Sequence, residues 1–287
     1  MVDLSPLYDL LAQLLPFDCL HTRFMQQALV GLLLLAPMTA AMGILVINFR
    51  MSFFADAISH SAFAGVALGL LFVLDPGWTM PIFGVLAGLA IVWLQRTSSL
   101  SSDTVIGVFF SAMVAFGLAI VSRERSLARD LQRFLYGDIL TISDGQIVAL
   151  MALFVVLMTF QACAYNRLIY IGLHPALAKA HRIRVATLQY LFAGLLALIV
   201  MFAVQAVGVL LVTALLIVPA AAGRNFARSA GTMFWWTMAI SLSSTVTGLL
   251  LSAQDWARTA TGATIVLVAC GWFALSMAVV RHWKRQG

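Results

Sequence analysis

Asp56 and His60 stand four residues apart inside an otherwise apolar block, MSFFADAISHSAFAGVALGLLFVL. On a helix that spacing puts both side chains on one face, with Cβ atoms about 5–6 Å apart. A carboxylate oxygen and an imidazole nitrogen so placed can grip one divalent cation. Zn2+ takes such ligands at around 2.0–2.2 Å, and Mn2+ takes them with more oxygen and water in its shell. Two ligands are too few for a tight site. A symmetric dimer bringing this helix against its copy would supply two Asp and two His, a full tetrahedral set. The same spacing also suits an Asp–His hydrogen bond that holds a helix packing together, or a pair that carries protons. An aspartate at mid-bilayer costs about 2.5–3.5 kcal/mol on insertion scales, so Asp56 is expected to face protein or water.

A second group of polar residues lies in NRLIYIGLHPALAKAHRIRVATLQY, from Asn166 to Thr187. It holds four basic residues, the histidines His174 and His181, and an Ala/Leu-rich stretch from Pro175 to Ala180 that reads as a short helix. Such a helix could dock into the groove of a partner. The two histidines are seven apart, so a metal there is conceivable, but the pattern reads first as a solvated loop. Beside the Asp56/His60 face, Ala57, Ser61, Gly65 and Gly69 form a ridge of small residues that lets helix backbones approach closely in lipid. Asp103, just before TVIGVFF, reads as a helix cap.

The elements that must position these groups follow from composition. Hydrophobic residues make up 62% of the 287-residue chain and charged ones 10%, against roughly 25% charged in an ordinary globular domain. No water-soluble fold hides so much apolar surface, which excludes a soluble enzyme, a disordered chain and a soluble nucleic-acid binder. The expected class is all-α, a polytopic membrane protein. Apolar runs able to span about 30 Å of hydrocarbon fall near 26–48, 52–74, 79–94, 104–122, 146–165, 187–205, 206–222, 232–252 and 262–280. The run at 79–94 is short, and 206–222 follows its predecessor almost without a loop, so eight or nine spans are expected, with a re-entrant or broken helix allowed where it is buried in protein.

The net charge of +6 is scattered, not gathered into a patch. With the C-terminus (Arg281, Lys284, Arg285) inside, alternation places Arg50, Arg96, Arg167, Lys179, Arg182, Arg184, Arg224 and Arg228 on that side too. Arg23, Arg123, Arg125, Arg129, Arg133 and Arg258 fall outside, and the positive-inside rule favours this orientation. The only lysines, Lys179 and Lys284, do not follow a glycine, so a GxxxxGK[ST] phosphate loop is excluded. Cys19, Cys163 and Cys270 are isolated, giving neither a disulfide framework nor a CxxC metal site. Asp3, Asp9 and Asp18 stand where a cleavable signal would be basic. Residues 1–24 place Leu4, Leu7, Tyr8, Leu11, Leu14 and Leu15 at near-helical spacing, as in a short interfacial helix. The expected division is an N-terminal interfacial extension, 1–23, and a transmembrane domain, 24–287.

Several segments together resemble the membrane subunit of zinc/manganese-uptake ABC transporters: MSFFADAISHSAFAGVALG, SDTVIGVFFSAMVAFGLAIVS, LQRFLYGDIL, HPALAKAHRIRVATLQ and VGVLLVTALLIVPAAAGR. FMQQAL, before the first span, is similar to that family as well. The resemblance implies a homodimeric permease in the bacterial cytoplasmic (inner) membrane. Its implied partners are two copies of a cytosolic ATP-binding subunit and an external metal-binding protein; nucleic acid is not among them. No cofactor is implied to be tightly bound, and the transported ion is Zn2+ or Mn2+. Carried onto this chain, the metal pair is Asp56 and His60. The element that couples to the ATPase includes His174, Pro175, Ala178, Lys179, His181, Arg182 and Arg184. Tyr136, Gly137 and Asp138 look like part of an outer gate region. Gly65, Gly69 and Pro219 look like packing positions, Pro219 as a kink.

Two other classes compete. A secondary transporter exchanging protons for a metal or another solute usually carries several intramembrane acids in a relay, and only Asp56 qualifies here. An intramembrane metalloenzyme would need a general base beside an activated water; HExxH is absent, and Glu124, the only glutamate, lies outside the apolar runs.

Overall fold

The computed structural model describes Tyr8 and residues 22–122, 139–254 and 259–286. Among them, nine helices are long and apolar enough to cross a membrane. These are α1 (Arg23–Asn48), α2 (Ser52–Leu71), α3 (Pro76–Thr97), α4 (Ser102–Val121) and α5 (Asp144–Leu173). A six-residue helix, α6 (Pro175–Ala180), precedes α7 (Val185–Val207), α8 (Val209–Phe226), α9 (Ala230–Ser252) and α10 (Thr261–Gln286). A 3-10 turn, Ile139–Thr141, leads into α5.

Local chemistry explains where the helices begin and end. The Asp75 side chain accepts from the Gly77 N–H at 2.8 Å and Pro76 opens the first turn, so α3 starts well before the short apolar run and reaches 22 residues. The cap of α4 is Ser101, whose Oγ accepts from the Thr104 N–H at 3.2 Å. Asp103 is therefore not the cap; it lies in the first turn, where a carboxylate favours the helix dipole. Ser229 and Thr232 form a reciprocal capping box at the start of α9. Between α7 and α8 there is one residue, Gly208, at φ 82°. That left-handed backbone suits glycine, and the crowded stretch holds two separate spans. Helix α5 runs on to Leu173, past Asn166 and Arg167, because a helix continues beyond its apolar window until something stops it; here Pro175 disfavours helical backbone at His174.

The chain divides into two compact units. One comprises Met1–Ile44, Asp138–Thr159 and Ala214–Gly287. Within it, α1 and α8 approach so closely at Gly43 that a Cβ there would collide with the Leu216 carbonyl oxygen. Ser241 donates to the Ala36 carbonyl at 2.9 Å, next to Pro37, and α9 packs on α10 with Gly248 against Ile265. At the start of α5, Asp144 accepts from Tyr8 Oη (2.6 Å), Gln27 Nε2 (2.8 Å) and Arg23 (3.1 Å). The Arg23 guanidinium also lies 5.8 Å from the centre of the Tyr8 ring. Burial, then the Asp144 contact, pushes the Tyr8 hydroxyl up to about 12. Tyr8 is thus tied to the body of the chain; the rest of 1–21 lies outside the described residues.

The other unit comprises Leu45–Gly137 and Phe160–Thr213. Here α2 is wrapped by α3, α4 and α7, and α3 packs on α7. The small ridge makes this possible. A Cβ at Gly65 would stand 2.9 Å from the Met80 Cα, one at Gly69 would stand against Thr79 Oγ1, and one at Gly88 would touch Ala197 and Ile58 at 3.3 Å.

Candidate metal pathway and coupling element

Helix α2 has 20 residues, or about 30 Å at 1.5 Å per residue, which matches the hydrocarbon thickness. Twelve of its residues are buried, from Phe54 and Ala55 through Ala57, Ile58, Ser59 and Ser61 to Val66, Ala67 and Gly69. One narrow stripe is not covered. Phe53 is exposed, and Asp56, His60 and Phe63 are half-buried. Their spacings of three, four and three residues are those of a single helical face. Asp56 and His60 therefore lie along that face about 6 and 12 Å from the first residue of the helix.

Aromatic rings flank the imidazole. Phe63 stacks parallel to it with ring centres 5.9 Å apart, and Phe110 of α4 meets it edge-on at 5.0 Å. Ser59 Oγ donates to the backbone carbonyl of Asp56 at 2.9 Å and leaves its carboxylate untouched. Among the described residues, the side chains of Asp56 and His60 make no hydrogen bond or ion pair, with each other or elsewhere. No third His, Cys, Asp or Glu joins them into a metal-binding group among those residues.

The uncovered stripe continues on α4. Few of its residues are buried; one is Gly117, which packs against Phe63 and Ala64 of α2. Gly107, Ser111, Ala115 and Ala119 are exposed at intervals of four, and a Cβ at Gly107 would meet nothing within 4 Å. Phe110, between Gly107 and Ser111, joins this small-residue face to His60. The periodicity of these four residues was visible in the sequence, but nothing there said that the face would be left open.

At the other candidate element, Ala178 of α6 is buried in an apolar cluster with Ile171 and Val185, packed by Phe49, Tyr170, Ile183 and Leu188. His174, Pro175, Lys179, His181, Arg182 and Arg184 are all exposed around it. His181 is fixed, its Nδ1–H donating to the Leu177 carbonyl at 2.9 Å while its ring stands edge-on to Tyr170 at 5.9 Å. Arg182 has a left-handed backbone, φ 57°, which turns the chain sharply into α7. The result is a short helix with a buried apolar root and a basic outer surface. Pro219 lies buried within α8, which is one helix through it; its missing N–H leaves the Leu215 carbonyl without its helical donor. Tyr136, Gly137 and Asp138 fall outside the described residues.

A family model described as the ABC 3 transport family matches residues 21–280. Among curated proteins, the high-affinity zinc uptake system membrane protein ZnuB of Haemophilus influenzae is 30% identical over 250 residues, covering 87% of this chain and 95% of that protein. The manganese import system permease protein ScaB of Streptococcus gordonii is 31% identical over 266 residues, 92% of this chain and 95% of its own. Among solved structures, PsaBC from Streptococcus pneumoniae in complex with Fab has a chain that matches with a TM-score of 0.78 and 30% identity, over 93% of this chain and 96% of that one. Each of these likenesses covers at least 87% of this chain and at least 95% of the other.

Proposed function

The chain belongs to the ABC 3 transport family, and we propose that it is the permease subunit through which a divalent transition metal, Zn2+ or Mn2+, enters the cell. The multi-pass body is embedded in the bacterial cytoplasmic membrane, with residues 24–287 as the permease and 1–23 as an extension. Energy comes from two copies of a separate ATP-binding subunit, and an external metal-binding protein delivers the ion. This membership displaces the proton-coupled carrier as a reading of the chain.

One observation carries the reading of the site: the single uncovered stripe of α2 is the one that bears Asp56 and His60. A carboxylate and an imidazole facing acyl chains would be costly, so a second copy of the chain covers them. The open small-residue face of α4 supports this, because small residues are what lets helices associate closely in lipid. Around a twofold axis the two half-sites supply two carboxylates and two imidazoles, with the Phe63 and Phe110 rings as low-dielectric walls. The ion is held only in passing, since a site too tight would trap it. Asp56 contributes charge and His60 a neutral nitrogen, so protons compete with the metal.

Movement is imposed from the basic end. The buried root at Ala178 joins α6 rigidly to the ends of α5 and α7, while Lys179, Arg182 and Arg184 present charge to the ATP-binding partner. A shift of that partner is thereby passed to α7, which packs against α2 and α3. The outer gate reading of Tyr136, Gly137 and Asp138 rests on the sequence resemblance alone. The test is uptake of radioactive zinc and manganese in a strain lacking other importers. Asp56→Ala and His60→Ala are expected to abolish uptake at normal protein levels. Undiminished uptake in both would remove the pair from the pathway.

A further inference from the structure

At the ends of α1, α3, α4 and α7 that the arginine count assigns to the cytoplasm, the second unit contains a cavity of about 170 Å3. Its walls include Phe49, Gln95, Arg96, Ser102, Gln189 and Phe192. A water occupies roughly 30 Å3 of liquid, so the space takes a group of several heavy atoms. The Phe49 and Phe192 rings close one side, 5.2 Å apart.

The polar groups on the wall are mismatched in one direction. Gln95 Nε2 is buried and has no hydrogen-bond partner among the described residues. Arg96 is steadied by one bond, Nη1 donating to Gln189 Oε1 at 2.7 Å, and by the Tyr190 ring 6.0 Å away. That bond engages the amide acceptor of Gln189 and one of the five guanidinium N–H groups. What remains is an excess of donors beside a positive charge. A buried donor without an acceptor costs stability until one arrives, so the fitting occupant is an anion rich in acceptor oxygens. The nearest acid along these helix ends, Asp103, is exposed and does not line the cavity.

The surroundings say where that anion comes from. Trp93, one turn before Arg96, is 58% exposed, and Leu100 and Leu191 are 56% and 50% exposed. Tryptophan settles at headgroup level, and basic pockets between helices on the cytoplasmic side hold anionic lipid headgroups. We propose that this cavity binds the phosphate of an anionic phospholipid from the inner leaflet, with Arg96 and Gln95 as its donors and Trp93, Leu100 and Leu191 against its acyl chains. Phe49 also packs on the α6 cluster, so the lipid sits one side chain from the basic element that meets the ATP-binding partner. The inference uses the membrane orientation and stands apart from the metal site.

The test is titration of the delipidated full-length chain in detergent with phosphatidylglycerol, phosphatidylcholine or inorganic phosphate, followed by native mass spectrometry and thermal unfolding. Phosphatidylglycerol is expected to bind and stabilise in preference to phosphatidylcholine. Arg96→Gln is expected to weaken it about tenfold, in keeping with the loss of a charge-assisted phosphate contact. Gln95→Leu is expected to weaken it as well, while leaving lipid-free unfolding at or above the wild-type temperature because an orphan amide is gone. If Arg96→Gln fails to fold, Gln95→Leu decides alone. Equal phosphatidylglycerol affinity in wild type and variants overturns the proposal. So does inorganic phosphate reproducing the full stabilisation.

Discussion

Replacing Asp56 with alanine removes a carboxylate that makes no hydrogen bond or ion pair among the described residues, from a face its own unit leaves uncovered. A charge of that kind costs about 2.5–3.5 kcal/mol at the bilayer centre on insertion scales. Asp56 lies about 6 Å from the start of α2, nearer the interface, so the relief is expected to be smaller, roughly 1–2 kcal/mol. Without metal, Asp56→Ala is therefore more stable than wild type. With zinc or manganese at a hundredfold over its dissociation constant, wild type gains about 2.7 kcal/mol and the variant gains nothing, so the order of stabilities reverses. Unfolding in lipid nanodiscs, with chelator and with metal, reads both halves of the reversal. If Asp56→Ala is less stable than wild type in chelator, the carboxylate is a packing group and the reasoning is refuted.

Other outcomes follow from the same geometry. Gly43→Ala pushes a methyl into the Leu216 carbonyl, so it is expected to destabilise by about 1–3 kcal/mol or more, seen as earlier unfolding; Gly107→Ala, which meets open space within its own chain, is expected to leave the unfolding of the monomer unchanged and to weaken dimerisation by analytical ultracentrifugation. Exchanging the exposed Lys179 and Arg182 for glutamate is expected to leave unfolding intact and to lower metal-stimulated ATP hydrolysis in the assembled complex. Metal loading falls as the medium is acidified, because both ligands bind only in their deprotonated forms; equilibrium dialysis across pH checks this. The Tyr8 hydroxyl is raised from 10.0 to about 12, so the stability it contributes is fully present below pH 10 and is lost as pH rises through about 12. A tyrosinate absorbance titration compared with Tyr8→Phe reads that window.

The nine spans were legible because long apolar runs in a chain of this composition have few other uses. The short helix at Pro175–Ala180 was legible too, since a proline at the first position and alanines after it are strong local signals. The end of α5 was not, because polarity at Asn166 and Arg167 marks the edge of the apolar window and not the end of a helix. At α4 the cap is Ser101 and not Asp103 two residues on, and only geometry distinguishes them. That Asp56 and His60 share one helix face could be seen from spacing, but the burial of the rest of α2 depends on α3, α4 and α7 and could not. Tyr8 and Asp144 are 136 positions apart, and the approach of Gly43 to Leu216 joins segments similarly remote. Such contacts leave no mark in a single sequence, nor does the donor-rich cavity around Gln95 and Arg96, whose residues come from separate helices.

The most direct measurement is the stoichiometry of metal on the purified complex, by native mass spectrometry with manganese or zinc near saturation. One ion per two copies of this chain is expected, reduced to none by His60→Ala. One ion on each chain, or undiminished binding in His60→Ala, would contradict a site shared between Asp56 and His60 of two subunits.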